Sequence, residues 1–321
     1  MTRRKFIKGS AIIGATVAIP DLLKAASGLF DTSTTRKVYR ILNTDKTLVG
    51  TLPVLRAFAG DHNDYVSPFV FFDEFGPVKV NPKDKPLRVD AHPHAGIIPT
   101  TYFLEGNGHH RDSLNYDFQV GKGDFMMFTS GRGAIHMEET GQKLYDNGGI
   151  YHGFQIWLNS PAKYKFVDPA AHVFHKEKMT EVVHKDYSAK AVLGSLPGAA
   201  SKIETLFPVF YFHIKMKPGC KLTIPVDPTH NAFVYVIKGA VETAGRTAVA
   251  ANQVALYERG KSDVELFSSG EAELLMLGGR PHNEPVFAYG PFVMNSEEEI
   301  RKCYANYQAG KMGNPDLVNG R

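Results

Sequence analysis

The sequence predicts an all-β chain made of two similar strand-rich units, and three observations carry that expectation. Short runs of Val, Ile, Phe, Tyr and Thr, broken by Gly, Pro, Asn and Asp, recur along most of the 321 residues, as in half-buried strands separated by turns. A hydrophobic content of 43% with 11% aromatics supplies a core large enough for two domains of ordinary size. The chain also repeats itself weakly: Thr101-Tyr102-Phe103-Leu104-Glu105-Gly106 and Val234-Tyr235-Val236-Ile237-Lys238-Gly239 are both apolar strands ending in a turn glycine.

Residues 1–27 read as an export signal. Thr2-Arg3-Arg4-Lys5-Phe6-Ile7-Lys8 matches the twin-arginine pattern and precedes a small-residue apolar run from Gly9 to Pro20; a basic amphipathic first helix is the competing reading. The run is shorter than the ~20 residues of a membrane span, so no stable membrane anchor is expected. Cleavage near Ala25-Ala26-Ser27 leaves a chain delivered by the twin-arginine machinery to the periplasm. This segment also accounts for the formal net charge of +4, since it holds five basic side chains against Asp21 alone and leaves 32 basic and 32 acidic residues beyond it. A neutral mature chain gives no reason to expect a nucleic-acid partner.

After a linker over 28–36, the first unit is expected over 37–183, and it holds the residues that carry chemistry. His92-Pro93-His94 and, some forty residues later, His136-Met137-Glu138 are each spaced i, i+2, so on strands each pair projects from one face. Two such pairs on facing strands close around one ion. Three imidazoles and a carboxylate leave coordination positions open, which suits Fe, Mn, Ni, Co or Cu at a reactive centre better than a closed structural zinc site. His92, His94, His136 and Glu138 are therefore the expected ligands of one divalent transition metal per chain, and Glu138 has a second possible role as general base. His110 and Asp112, beside turn glycines, are expected to stabilise a loop more than to shape the mouth of the site. Phe103, Phe125, Phe128, Phe154 and Trp157 are expected chiefly in the core, with an aromatic pocket as the alternative.

Residues 184–201, with Gly194, Pro197 and Gly198, read as a linker to a second unit over 202–313. Counting back from the turn glycine, the positions matching His92 and His94 are Pro225 and Asp227, so this half is expected to be structural. Its end holds a helix: Ser296 and Glu299 form a capping box, Ile300, Cys303, Tyr304 and Tyr307 fall on one stripe, and Gly310 stops it. Residues 314–321 are a tail. Cys220 and Cys303 lie in different kinds of segment, and a disulfide between them is not expected.

From about residue 37 to 313 the sequence resembles the pirin family of bicupins. The resemblance rests on His92-Pro93-His94-Ala95-Gly96, Leu104-Glu105-Gly106, His110-Arg111-Asp112-Ser113, Gly123-Asp124, Gly131 through Glu138, Gly153-Phe154-Gln155-Ile156-Trp157-Leu158-Asn159 and Asn283-Glu284-Pro285 through Asn295, in that order. It implies two cupin barrels, double-stranded β-helices of the jelly-roll kind, packed face to face. It also implies one mononuclear metal in the first barrel on His92, His94, His136 and Glu138, with iron first and Mn, Ni, Co, Cu or Zn as alternatives. Some pirins act as quercetin 2,3-dioxygenases, which implies an aromatic or enolisable small-molecule substrate and O2; a metal-binding redox sensor or partner-binding bicupin is the alternative. The family commonly has a Glu where this chain has Ile98. Strand alternation places Ile98 on the face of His92 and His94, so this departure is expected to make the metal's surroundings more apolar.

Overall fold

A computed structural model describes residues 34–60 and 63–318, so the expected export signal lies outside the described residues. Eleven antiparallel strands build the first unit: β2 (Asp45–Val49), β3 (Leu52–Ala59), β4 (Phe69–Val80), β5 (Arg88–His94), β6 (Ile97–Glu105), β7 (Asn107–Asp112), β8 (Asp117–Gly121), β9 (Phe125–Thr129), β10 (Ala134–Thr140), β11 (Gly149–Asn159) and β12 (Ala170–Phe174). They form a seven-stranded sheet in the order β12-β9-β6-β11-β4-β3-β2 and a four-stranded sheet in the order β5-β10-β7-β8. The second unit repeats the plan. Its seven-stranded sheet runs β1 (Val38–Asn43), Gln253–Tyr257, Asn231–Lys238, Ala272–Gly279, Val209–Met216, Tyr187–Leu193, Glu181–Val183, and its four-stranded sheet runs Cys220–Pro225, Asp263–Ser268, Ala240–Thr243, Thr247–Ala250.

Alternation along the strands sorts side chains between separate cores. Phe58, Phe72, Ile98, Tyr102, Phe125 and Phe154 of the first large sheet pack with Tyr211, Phe233, Tyr235, Leu256 and Leu275 of the second, so the two barrels meet face to face through their large sheets. Phe72 sits at that junction, edge-on to Phe58 and Phe154 and tilted against Tyr235, the geometry that aromatic quadrupoles favour. The second barrel is filled by Leu222, Ile224, Val234, Val241, Val249, Val264 and Leu266. Leu222, Ile224, Val264 and Leu266 lie on the second unit's counterparts of β5 and β10. Aliphatic side chains thus fill the space that histidines occupy in the first barrel.

Two expected boundaries differ from the structure. Tyr187–Leu193, inside the segment expected as a linker, is a full strand paired with Val209–Met216. β1, expected in the first unit, pairs with Gln253–Tyr257 of the second, and the neighbouring Arg36 donates to the carbonyls of Lys261, His230 and Asp227. The C-terminal helix makes the reverse exchange. It spans Glu297–Gln308 with the Ser296 hydroxyl accepting from the Glu299 N–H at 3.2 Å, and its Ile300 and Cys303 pack with Ala95, Ile135 and Met137 on the outside of the first barrel. Each unit thus lends an end to the other, because an open sheet edge and an exposed apolar face are both costly and the other unit's terminal segment covers them. Cys220 and Cys303 are both buried and unpaired. Among the described residues no helix is long and apolar enough to cross a membrane.

Candidate metal centre

The four-stranded sheet of the first barrel carries the site on its inner face. β5 and β10 are hydrogen-bonded neighbours, with His136 opposite His92 and Ala134 opposite His94. The two pairs therefore sit side by side on one sheet and do not face each other from opposite strands as expected. A bulge shifts the register so that Glu138 lies opposite Val89, and a bulge of this kind re-aims a side chain at a functional site. Ile135 and Met137 point the other way, into the core under the C-terminal helix. On the far side of β10, β7 places Asp112 opposite His136 and His110 opposite Glu138.

His92, His94 and His136 bring their ring nitrogens within 4.8 Å of one another, and the Nε2 atoms of His92 and His136 are 3.1 Å apart. Two nitrogens each about 2.1 Å from one ion, at an angle of about 95°, have the same spacing. The other ring nitrogens decide the tautomers. His92 Nδ1 lies 2.7 Å from the Asp90 carbonyl oxygen and His94 Nδ1 3.0 Å from that of Pro291. A carbonyl only accepts, so each Nδ1 carries the proton and each Nε2 keeps a bare lone pair toward the others. Burial holds the pKa of all three rings below the ordinary histidine value, well below it for His94 and His136, with neighbouring rings adding to the shift for those two. Neutral imidazoles with convergent lone pairs fit a transition metal.

Glu138 is placed differently from the three histidines. Its carboxylate falls in a grouping with His110 and His136. Oε1 accepts from the Thr101 hydroxyl at 3.0 Å and Oε2 from the Gln155 amide at 2.5 Å. It still borders the cavity above the histidines, a space of about 70 Å³. Trp157 forms part of that wall, stacked on Phe71 at 4.1 Å and edge-on to His94 at 4.8 Å. Of the other aromatic residues singled out in the sequence, Phe103 lines the cavity, Phe128 stacks on His136 at 4.7 Å, and Phe125 and Phe154 belong to the core between the barrels.

Residues 51–158 match the Pirin family and residues 211–313 the Pirin C-terminal cupin domain. The chain belongs to the pirin family. A pirin-like protein of Solanum lycopersicum is 31% identical over 251 residues, which are 77% of this chain and 82% of that one. The crystal structure of a quercetin 2,3-dioxygenase from Acinetobacter baumannii aligns with a TM-score of 0.84 at 26% identity, covering 87% of this chain and 99% of that one. The bacterial pirin YhhW of Escherichia coli, solved in complex with nickel(II), shares the fold at 17% identity and a TM-score of 0.58, covering 75% of this chain and 98% of that one.

In this pirin, Ile98 does not face the site. Gly96, at φ +76°, breaks β5 from β6, so the alternation running through His92 and His94 does not continue to Ile98. That side chain is buried in the core between the barrels with Tyr102 and Phe154, whereas Thr101 and Phe103 of the same strand line the cavity. Ile98 therefore belongs to the inter-barrel core and is not an immediate neighbour of the three histidines, which corrects the expectation that it faces the site.

Gly96 has a further purpose in the pirin fold. A Cβ there would stand 2.1 Å from the Val293 carbonyl oxygen, because the C-terminal segment Pro291–Asn295 crosses at this point, with Ala95 bridged to Phe292. The crossing is held by Lys165, fully buried, whose Nζ donates to the carbonyls of Gly96 at 2.8 Å and Val293 at 2.7 Å and to the Asn159 side chain. Since Pro291 is the hydrogen-bond partner of His94, the C-terminal segment completes a site otherwise built by the first barrel. Sequence reasoning missed Lys165, Thr101 and Gln155, which carry no spacing signal. It also missed the strand character of His110 and Asp112, whose i, i+2 spacing repeats that of the ligand pairs.

Proposed function

We propose that this pirin is an exported, mononuclear metal-dependent oxidoreductase, a dioxygenase acting on a flavonol-like or other enolisable or phenolic small molecule. The observation that carries it is the convergence of three buried or half-buried imidazoles, His92, His94 and His136, with the Glu138 carboxylate beside His136, at a cavity walled by aromatic and aliphatic side chains. His92, His94 and His136 would hold the ion, iron first among the candidates, with Glu138 as the fourth ligand or as a base. The likeness to a quercetin 2,3-dioxygenase structure supports the reaction class.

A divalent transition metal held by His92, His94 and His136 would supply Lewis acidity toward a substrate oxygen and redox chemistry with O2. The protein's own groups do the rest. Glu138 takes up the proton of the substrate hydroxyl, and the Thr101 and Gln155 hydrogen bonds set where its oxygens stand. Trp157 and Phe103 offer flat apolar surface to a planar substrate and keep bulk water from it. The space of about 70 Å³ is far smaller than the ~300–1,000 Å³ of pockets that hold drug-sized ligands, so a flavonol enters only if the lining opens; Val49 and Leu52, beside the tip of the β2–β3 hairpin, are part of that lining. That tip is held by exposed hydrogen bonds between Thr51 and Arg88.

Aerobic oxygen uptake with concomitant loss of quercetin absorbance is expected from metal-reconstituted protein, and neither from His94→Ala. Silence of the reconstituted protein across a panel of flavonols, catechols and enolisable acids would favour the second reading, a metal-holding bicupin without turnover. Export to the periplasm by the twin-arginine route is part of the same proposal, supported by Arg3-Arg4 and the apolar run behind them. Changing both arginines to lysine should leave the protein in the cytoplasm of its native host; unchanged periplasmic recovery would remove the export claim.

A further inference from the structure

We propose that Asp112 and His110 are positioning residues that set the tautomer of His136 through a directed chain of hydrogen bonds. The inference rests on the metal-centre reading above and deepens it. All three links are buried side chains on β7 and β10: Asp112 Oδ2 lies 3.1 Å from His110 Nε2, and His110 Nδ1 lies 3.4 Å from His136 Nδ1.

The direction of the chain follows from its end. Asp112 Oδ1 already accepts from the backbone N–H groups of Leu114 at 2.9 Å and Tyr116 at 3.1 Å. Oδ2, an acceptor as part of the same carboxylate, requires a proton on His110 Nε2. The 3.4 Å contact between two ring Nδ1 atoms needs one donor and one acceptor; with the His110 proton on Nε2 its Nδ1 is the acceptor, so His136 carries its proton on Nδ1 and leaves Nε2 free toward His92 and His94. His92 and His94 obtain the same result from backbone carbonyls, which no side-chain substitution removes. His136 alone depends on side chains for it. Both ring nitrogens of His110 are engaged in the chain, so His110 serves as a support and not as a ligand.

Asp112→Asn isolates this role. The Leu114 and Tyr116 N–H groups keep the amide oxygen on their side, so the new NH2 faces His110 Nε2, reverses each proton along the chain and places one on His136 Nε2, where the ion would bind. Asp112→Ala removes the constraint without reversing it and strips the acceptor from Leu114 and Tyr116. Co(II) alone serves as the probe, titrated against a competing chelator and followed by its visible absorption, with thermal melting of the metal-free proteins alongside. We expect Asp112→Asn to bind Co(II) roughly 10–100-fold more weakly than wild type and more weakly than Asp112→Ala, while metal-free Asp112→Ala melts below metal-free Asp112→Asn. A merely structural Asp112 gives the opposite order of affinities, with the isosteric Asn the milder change. Asp112→Asn binding as tightly as wild type, or more tightly than Asp112→Ala, overturns the proposal. If wild type itself fails to bind Co(II), the metal-centre reading falls and this inference falls with it.

Discussion

His136→Ala is expected to abolish tight metal binding, whereas wild type takes up one equivalent per chain. His136 stands between the two other ring donors and the carboxylate: its Nε2 is 3.1 Å from that of His92, and it belongs both to the grouping with His92 and His94 and to that with His110 and Glu138. Removing it separates the site into an i, i+2 pair on β5 and a carboxylate tied to Thr101 and Gln155, neither of which offers three convergent donors. A loss of at least ~100-fold in affinity is anticipated, since an inner ligand should cost no less than the 10–100-fold typical of its outer hydrogen-bond partners. Elemental analysis of protein from its native compartment, paired with a chelator competition, measures it. Full stoichiometry in the variant, or two tight equivalents in wild type, would show that the ligand set is wrong. The second barrel is not expected to contribute a site, because Leu222, Ile224, Val264 and Leu266 fill its interior.

Lys165→Met is expected to lower stability markedly although Lys165 is no ligand. Burial draws the lysine's pKa down to about 7, while three surrounding oxygens, all acceptors, are matched in number by the three N–H groups of the ammonium form. Methionine fills a similar volume but leaves the Gly96 and Val293 carbonyls and the Asn159 side-chain oxygen buried without this donor. The Gly96 carbonyl keeps the Ser160 N–H as a donor, and each of the other two acceptors, if left unsatisfied, costs about 1–3 kcal/mol, offset in part by relief of the ammonium's desolvation, so a net loss on the order of 2 kcal/mol is expected. Urea denaturation of the metal-free proteins checks it, with the exposed Lys163→Met as a control expected within about 0.5 kcal/mol of wild type. Because the loosened segment also carries the Pro291 carbonyl that orients His94, Co(II) affinity should fall as well. Unchanged stability and affinity would mean that Lys165 does not hold the crossing.

Much of the site was legible in the sequence because i, i+2 spacing is a local property of extended chain: wherever His92-Pro93-His94 and His136-Met137-Glu138 form strands, each pair shares a face. The helix at Glu297–Gln308 was legible for the same kind of reason, since a capping box and an apolar stripe act within a few residues. The absence of a second site was also written locally, in the residues that replace histidine. In the structure aliphatic side chains fill the interior of that barrel.

What the sequence by itself determined is therefore the all-β class, the duplicated plan, the two same-face pairs at i, i+2 and the helix, each set by contacts among residues close together in the chain. Only the tertiary structure decided which strands are neighbours, that β1 completes the second barrel's sheet, that the C-terminal helix covers the first barrel, and that Ile98 faces the other barrel. These depend on burial between segments far apart in sequence. A strand presents two faces, and its pattern says that they differ without saying which one meets the core, the metal or the partner barrel. A single residue with positive φ, Gly96, is enough to reset the alternation from His94 to Ile98. Lys165 was illegible for the same physical reason: an ammonium is tolerable in the interior only where three oxygens converge on it. Those oxygens come from residues 69, 6 and 128 positions away, so the folded chain alone brings them together.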